Sequence, residues 1–289
     1  MAVFTTIFGN REVALLIWLM VLVTVGLVSK SLRPSFVGTF RAFFAPKLIA
    51  ILGLTAAYTG LLVYVLSTAR IWTEDLAGET TFWFLGPVLV MFFQLNEASE
   101  HPHFFRRAFM SVFSLTVVIE FVINVYPLDL VAELILVPVF VLLGGMVAVA
   151  GARDEYKQVR GALNFILGAI GAFFVGYALY RIGEDPREFA TVGTVREFMV
   201  PLLLTVGMLP FIYVVALFFT YEMMFLRLRW KLGDGPLYRY AKRQALRTAL
   251  FRLQTVRRFA TAYPAALVDS SNRSDVDRAT RKLKRTRDR

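Results

Sequence analysis

FMVPLLLTVGMLPFIYVVALFF, residues 198–219, runs for 22 residues without one charged side chain. A helix needs about 20 predominantly apolar residues to cross a hydrocarbon core of about 30 Å, at about 1.5 Å of rise per residue. The stretch is apolar all round, so it has no face to turn toward water. In hydrocarbon every backbone N–H and C=O must be paired within the protein, which makes helix the expected state.

Reading outward from this run, further apolar runs occupy 13–29, 48–68, 82–95, 108–127, 130–152 and 161–180, and the last extends to about 221. The fold class predicted is all-α: a polytopic membrane protein of about seven transmembrane helices. Composition agrees, with 57% hydrophobic and 18% charged residues and a mean hydropathy of +0.60. The opening MAVFTTIFGNRE lacks the basic start and small-residue cleavage site of a signal peptide, so the first run is expected to be a retained span. With no cysteine there is no disulfide framework, thiolate metal site or cysteine nucleophile. Walker, GxSxG and Rossmann patterns are also absent, which argues against an ATP-driven pump or a soluble-type hydrolase. No enzyme activity and no cofactor are expected.

Loop lysines and arginines set the orientation. The first loop holds Lys30, Arg33, Arg41 and Lys47, the third Arg106 and Arg107, and the fifth Arg153, Lys157 and Arg160. The even loops hold Arg70, Arg181, Arg187 and Arg196 among Glu74, Asp75, Glu79, Asp129, Glu184, Asp185, Glu188 and Glu197. Seven spans then place the N-terminus outside and the C-terminus in the cytoplasm of a bacterial inner membrane. The loop KSLRPSFVGTFRAFFAPK, residues 30–47, reads as an interfacial helix whose basic side chains reach lipid headgroups.

The excess charge is confined to one end. Residues 227–289 hold 18 basic and five acidic side chains, against 14 and 16 in residues 1–226. The chain therefore divides into a transmembrane domain, 1–226, and a basic cytoplasmic helical domain, 227–289. Asp234, Gly235 and Pro236 form a helix start. Ala245, Leu246, Ala249, Leu250, Leu253, Val256 and Ala260 fall on one arc of a helix expected to run to Pro264. SDVD, residues 274–277, resembles a capping box. Arg239, Lys242, Arg243, Arg247, Arg252, Arg257 and Arg258 are the candidate ligands for phosphate or nucleic acid, because an arginine fork donates two parallel bonds to a phosphate. Tyr238, Tyr240, Phe251, Phe259 and Tyr263 are interleaved, and aromatic rings stack on unpaired bases. Three readings stay open for this stretch: binding of anionic lipid, self-assembly through the leucine arc, and capture of a nucleic acid or nucleotide.

Ionisable residues inside a span are expensive and mark function by default. Glu120 lies in the fourth run with Asn124 four residues on, on one helix face; Asn164 and Tyr177 are candidate partners. Glu133 is expected at an interface with access to water. Pro201, Thr205 and Pro210 are expected to kink and shape a pore-lining last span. Gly168, Ala172 and Gly176 share a face suited to close helix contact. Glu97, Glu100, His101 and His103 gather acids and the only two histidines, but lack the spacing of a helical zinc motif, so no metal site is expected.

NREVALLIWL (10–19), FFQLNEASEHPHFFRRAF (92–109) and FTYEMMFLRL (219–228) resemble stretches of bacterial inner-membrane proteins of uncharacterised function. Their general layout is similar to membrane effectors of antiphage defence, including the channel-forming partner of the Hailong nucleotidyltransferase system. There a single-stranded DNA oligomer restrains a membrane channel until phage activity removes it. What the resemblance implies is an oligomeric ion channel whose basic tail binds ligand and gates, with single-stranded DNA or a nucleotide as ligand and a nucleotidyltransferase as partner. It carries no functional residue across. The alternative is a secondary transporter or lipid-handling protein whose tail holds anionic lipid, and a scaffold without transport is a third reading.

Overall fold

The computed structural model describes residues 9–95, 103–249, 252–267 and 272–285. They are predominantly helical, with no strand among them. In chain order the helices are α1 (Asn10–Val28), α2 (Arg33–Phe43), α3 (Pro46–Thr68), α4 (Ala77–Trp83), α5 (Leu89–Phe93), α6 (Phe104–Val112), α7 (Leu115–Val125), α8 (Leu130–Gly151), α9 (Lys157–Glu184), α10 (Pro186–Phe189), α11 (Val192–Leu232), α12 (Pro236–Ala249), α13 (Leu253–Ala266) and α14 (Arg273–Arg285).

Five of these are long and apolar enough to cross a membrane: α1, α3, α8, α9 with its preceding turn, and α11. The pair α6 and α7 makes a sixth if it is counted as one broken span. The run 82–95 is not one helix. It is divided among α4, a π-type turn at Phe84–Val88 and α5. Pro87 lies in that turn. Proline has no N–H to donate, and i→i+5 pairing steps the hydrogen bonds past it. The run 108–127 breaks between Val112 and Leu115, where Ser114 is extended and begins α7.

The described residues form two compact units. The first takes those of Met1–Leu85 and Phe113–Leu204, the second those of Gly86–Val112 and Thr205–Arg289. The predicted domain border at 226/227 falls inside α11, whose residues from Thr205 onward belong to the second unit.

In the first unit α1 packs on α8, and α8 on α9. Arg11 near the start of α1 pairs with Glu133 in the first turn of α8, Nη2 to Oε1 at 3.1 Å, with Nε at 3.2 and 3.3 Å from the two oxygens. Glu133 also accepts from the Leu128 N–H at 3.2 Å. Its side chain is only 3% exposed, so the expected water-accessible placement of Glu133 is corrected. Two turns further along α1, Trp18 Nε1 donates to the Leu134 carbonyl at 2.8 Å. That carbonyl lies four residues before Pro138, which stands inside α8 and has no N–H to give it.

The second unit uses the same device. Pro264 does not end its helix; it sits inside α13, which runs on to Ala266. The carbonyl it leaves without a helical donor, that of Ala260, accepts from Arg227 Nη1 at 3.2 Å. The single tail helix expected from 236 onward instead ends at Ala249 and restarts at Leu253. The Leu253 N–H, an orphan of the first turn, donates to Tyr213 Oη at 3.1 Å. Met224 and Leu228 of α11 are buried with Ala241, Ala245 and Ala249 of α12, Val256, Phe259 and Tyr263 of α13, and Val276 of α14. The three alanines, four residues apart, let the helices approach closely. Leu246, on the expected apolar arc, is 42% exposed, because the alanine face and not the leucine face turns inward. SDVD does not cap α14, which begins a residue earlier; the Asp275 N–H donates to the Asn272 carbonyl. Gly233, at φ +68°, allows the sharp turn from α11 into α12.

Candidate functional site

Two features stand out, one in each unit. The first is a cavity of about 400 Å³ in the first unit, lined by Arg11, Glu12, Asp75, Glu79, Asn124 and Glu197 among apolar neighbours that include Phe82, Phe121 and Pro201. Four carboxylates therefore meet here. Arg11 offsets little of their charge, since its guanidinium is engaged by Glu133 and by Asn124 Oδ1. Glu12 accepts from the Gly9 N–H at 2.9 Å. Glu79 Oε2 is buried without a hydrogen-bond partner. Burial, then the nearby carboxylates of Glu197, Glu12 and Asp75, push the Glu79 carboxyl up to about 8. Glu79 is therefore mostly protonated at neutral pH, and the cluster shares fewer charges than it has carboxyls. No group of three or more acids or histidines among the described residues could hold a metal ion.

The cavity takes up two of the predicted intramembrane residues, Asn124 and Pro201, and leaves out Glu120, Thr205 and Pro210. Glu120 is exposed, and no hydrogen bond or ion pair joins it to Asn164 or Tyr177. Asn124 instead turns to Arg11, whose Nη1 donates to its amide oxygen, a charge-assisted bond. Pro201, Thr205 and Pro210 lie within one uninterrupted α11. Gly168 and Gly176 are exposed with nothing within 4 Å of an added Cβ, so the expected close helix contact is not made within the chain. Glu97, Glu100 and His101 lie outside the described residues, as do Leu250 and Phe251. Arg11, Glu12, Asp75, Glu79 and Glu197 went unrecognised because each counted only as a loop or terminal charge. The available signal was that they all fall at span ends assigned to the same side of the membrane.

The second feature is an arginine ridge. Arg239, Arg243 and Arg247 are exposed on α12, four residues apart, on the face away from Ala241, Ala245 and Ala249. The described acids of the tail are taken by other groups. Asp234 pairs with Arg229, Asp275 with Arg278 at 3.7 Å, and Asp277 accepts from Tyr240 at 2.8 Å and Gln244 at 3.0 Å. The ridge arginines have no ion pair among the described residues. Like charges at this spacing destabilise a helix by about 0.2–0.5 kcal/mol per pair, so the ridge is a modest burden on the fold. Lys242 does not join it; its Nζ lies 4.7 Å from the Phe225 ring centroid. Arg252 and Arg258 are exposed beyond α12 and in α13, and Arg257 is half-buried. Of the interleaved aromatics, Phe259 and Tyr263 are buried in the core and Tyr240 holds Asp277, so none of these three presents a free ring for stacking. Burial pushes the Tyr263 hydroxyl up to about 12.

No protein-family model, curated protein or solved structure matches this chain.

Proposed function

We propose that this protein is a seven-span bacterial inner-membrane protein, N-terminus outside and C-terminus in the cytoplasm, that assembles into a homo-oligomeric ion channel gated by an anionic ligand on its basic tail. The observation that carries this reading is α11. It runs unbroken from Val192 to Leu232, and its Met224 and Leu228 are buried in the same core as α12, α13 and α14. A ligand that shifts the tail helices must therefore act on a span.

Parity supports the orientation. Glu12, Asp75, Glu79, Asn124 and Glu197 line one cavity, so an even number of crossings separates each from the next. α1 and α3 supply two, and α8 and α9 two more. The segment from 80 to 123 then crosses twice or not at all. Phe104 packs in the core that holds Leu228 and the tail helices. The lysine and arginine bias assigns that tail to the cytoplasm, which favours two crossings and a total of seven. The acidic cavity then opens on the outer side, where it would draw cations toward a pore.

The ridge of Arg239, Arg243 and Arg247 suits a phosphate-bearing ligand, with single-stranded DNA or a nucleotide from a nucleotidyltransferase as candidates within antiphage defence. The burial of the alanine face of α12 counts against that helix lying in a bilayer by its apolar side. The test is ion flux from proteoliposomes, with and without a single-stranded oligonucleotide, for the wild type and Arg239→Gln/Arg243→Gln/Arg247→Gln. Flux that the oligonucleotide changes in the wild type and not in the variant is expected. Flux indifferent to both ends the gating reading, and substrate uptake that survives the substitution supports the transporter.

A further inference from the structure

We propose that α2 is a docking surface for anionic phospholipid headgroups. Only four residues separate it from α1, and only two from α3, and both neighbours are long and apolar enough to span. An eleven-residue helix tied at both ends in this way lies at a bilayer surface. Phe36 fixes its rotation: the ring covers Gly26 of α1, where an added Cβ would stand 2.7 Å from Phe36 Cδ2. Phe40 and Phe44 continue from Phe36 along the same side, with successive ring centroids 6.4 and 4.9 Å apart. Yet Phe40 and Phe44 are 56% and 58% exposed. Arg33 heads this aromatic row and Arg41 borders it, both exposed and with no ion pair among the described residues. Ser35 and Gly38 occupy the opposite arc.

Charge decides the occupant. The stretch between Glu12, in the first turn of α1, and Glu74 holds no acidic residue, so neither α2, α3 nor the end of α1 next to α2 supplies a carboxylate to Lys30, Arg33 or Arg41. A second copy seated on this row would bring the same unpaired arginines against these. Anionic headgroups satisfy both halves of the surface, since the rings enter the headgroup and acyl boundary while the guanidiniums stay at phosphate level. This inference needs only that α1 and α3 span; it stands whether or not the tail gates a channel.

The chain has no cysteine, so Phe40→Cys and Ser35→Cys each give one spin-labelling site in the full-length protein. In nanodiscs of equal phosphatidylglycerol and phosphatidylcholine, the label at 40 should be relaxed by oxygen and shielded from an aqueous nickel chelate. The label at 35 should show the reverse. Native mass spectrometry of the released protein should show phosphatidylglycerol retained over phosphatidylcholine. That preference should fall by about tenfold or more in Arg33→Gln/Arg41→Gln, given the attraction of each basic residue to an anionic surface. A label at 40 open to the chelate overturns the proposal. So does one closed to both reagents, as when a second copy covers it, or a lipid preference that the arginine variant leaves unchanged.

Discussion

Trp18 Nε1 donates to the carbonyl of Leu134 at 2.8 Å, the carbonyl that Pro138 leaves without its helical donor. An indole from one apolar helix thus completes the backbone pairing of another. Where little water is available, an unsatisfied carbonyl is costly, so the two residues should be thermodynamically coupled. Trp18→Phe should destabilise the protein by about 1–2 kcal/mol. In a Pro138→Ala background the helix supplies its own N–H, and the same substitution should cost about 1 kcal/mol less. Thermal unfolding of the four proteins in detergent measures the cycle, and additive effects would show that the indole only fills space.

Arg11 and Glu133 form the second tie between α1 and α8. Arg11→Ala leaves a carboxylate that is 3% exposed with no cation beside it, and should cost about 3 kcal/mol. Replacing both with methionine removes the uncompensated charge and should recover most of that loss. A double variant less stable than Arg11→Ala would mean that the pair adds net stability beyond avoiding a buried charge.

The raised Glu79 carboxyl sets a pH dependence with a definite sign. The folded state keeps this proton up to about pH 8, while the unfolded chain releases it near 4.5. Between those values the unfolded state binds fewer protons, so this group lowers stability as pH rises. Glu79→Gln keeps the neutral shape and should flatten the fall in Tm across that window. An unchanged profile would assign the pH dependence to other acids.

For the tail, contact of the basic residues with about six phosphates of a single strand predicts a log–log salt slope near −4. Removing Arg239, Arg243 and Arg247 should bring it to about −2 while changing stability by less than about 0.5 kcal/mol, because all three are exposed. Fluorescence anisotropy of a labelled oligonucleotide across a salt series reads both proteins. Binding with no salt dependence would exclude the ridge as the contact.

Several expectations and the structure part at identifiable places. The run 82–95 was apolar enough to suggest a helix, but Pro87 shifts the pairing in its middle. Pro264 was expected to end a helix and does not, because Arg227 reaches the carbonyl it orphans. Glu133, expected at an interface with access to water, is buried instead, because Arg11, 122 residues away along the chain, pairs with it. Proline breaks a helix only when nothing else can serve the freed carbonyl, and that depends on a neighbour that local sequence cannot name.

Helical class, the apolar runs and the concentration of positive charge after residue 226 were determined by the sequence alone. These are sums of local properties: transfer of apolar side chains into hydrocarbon accumulates along a segment, and charge can be counted. Tertiary structure alone decided that Glu12, Asp75, Glu79 and Glu197 meet at one cavity, that Asn124 turns to Arg11, and that the alanine face of α12 is buried while its arginines are exposed. Those outcomes depend on distances between residues far apart in the chain, and on which of several competing donors and acceptors packing brings within reach.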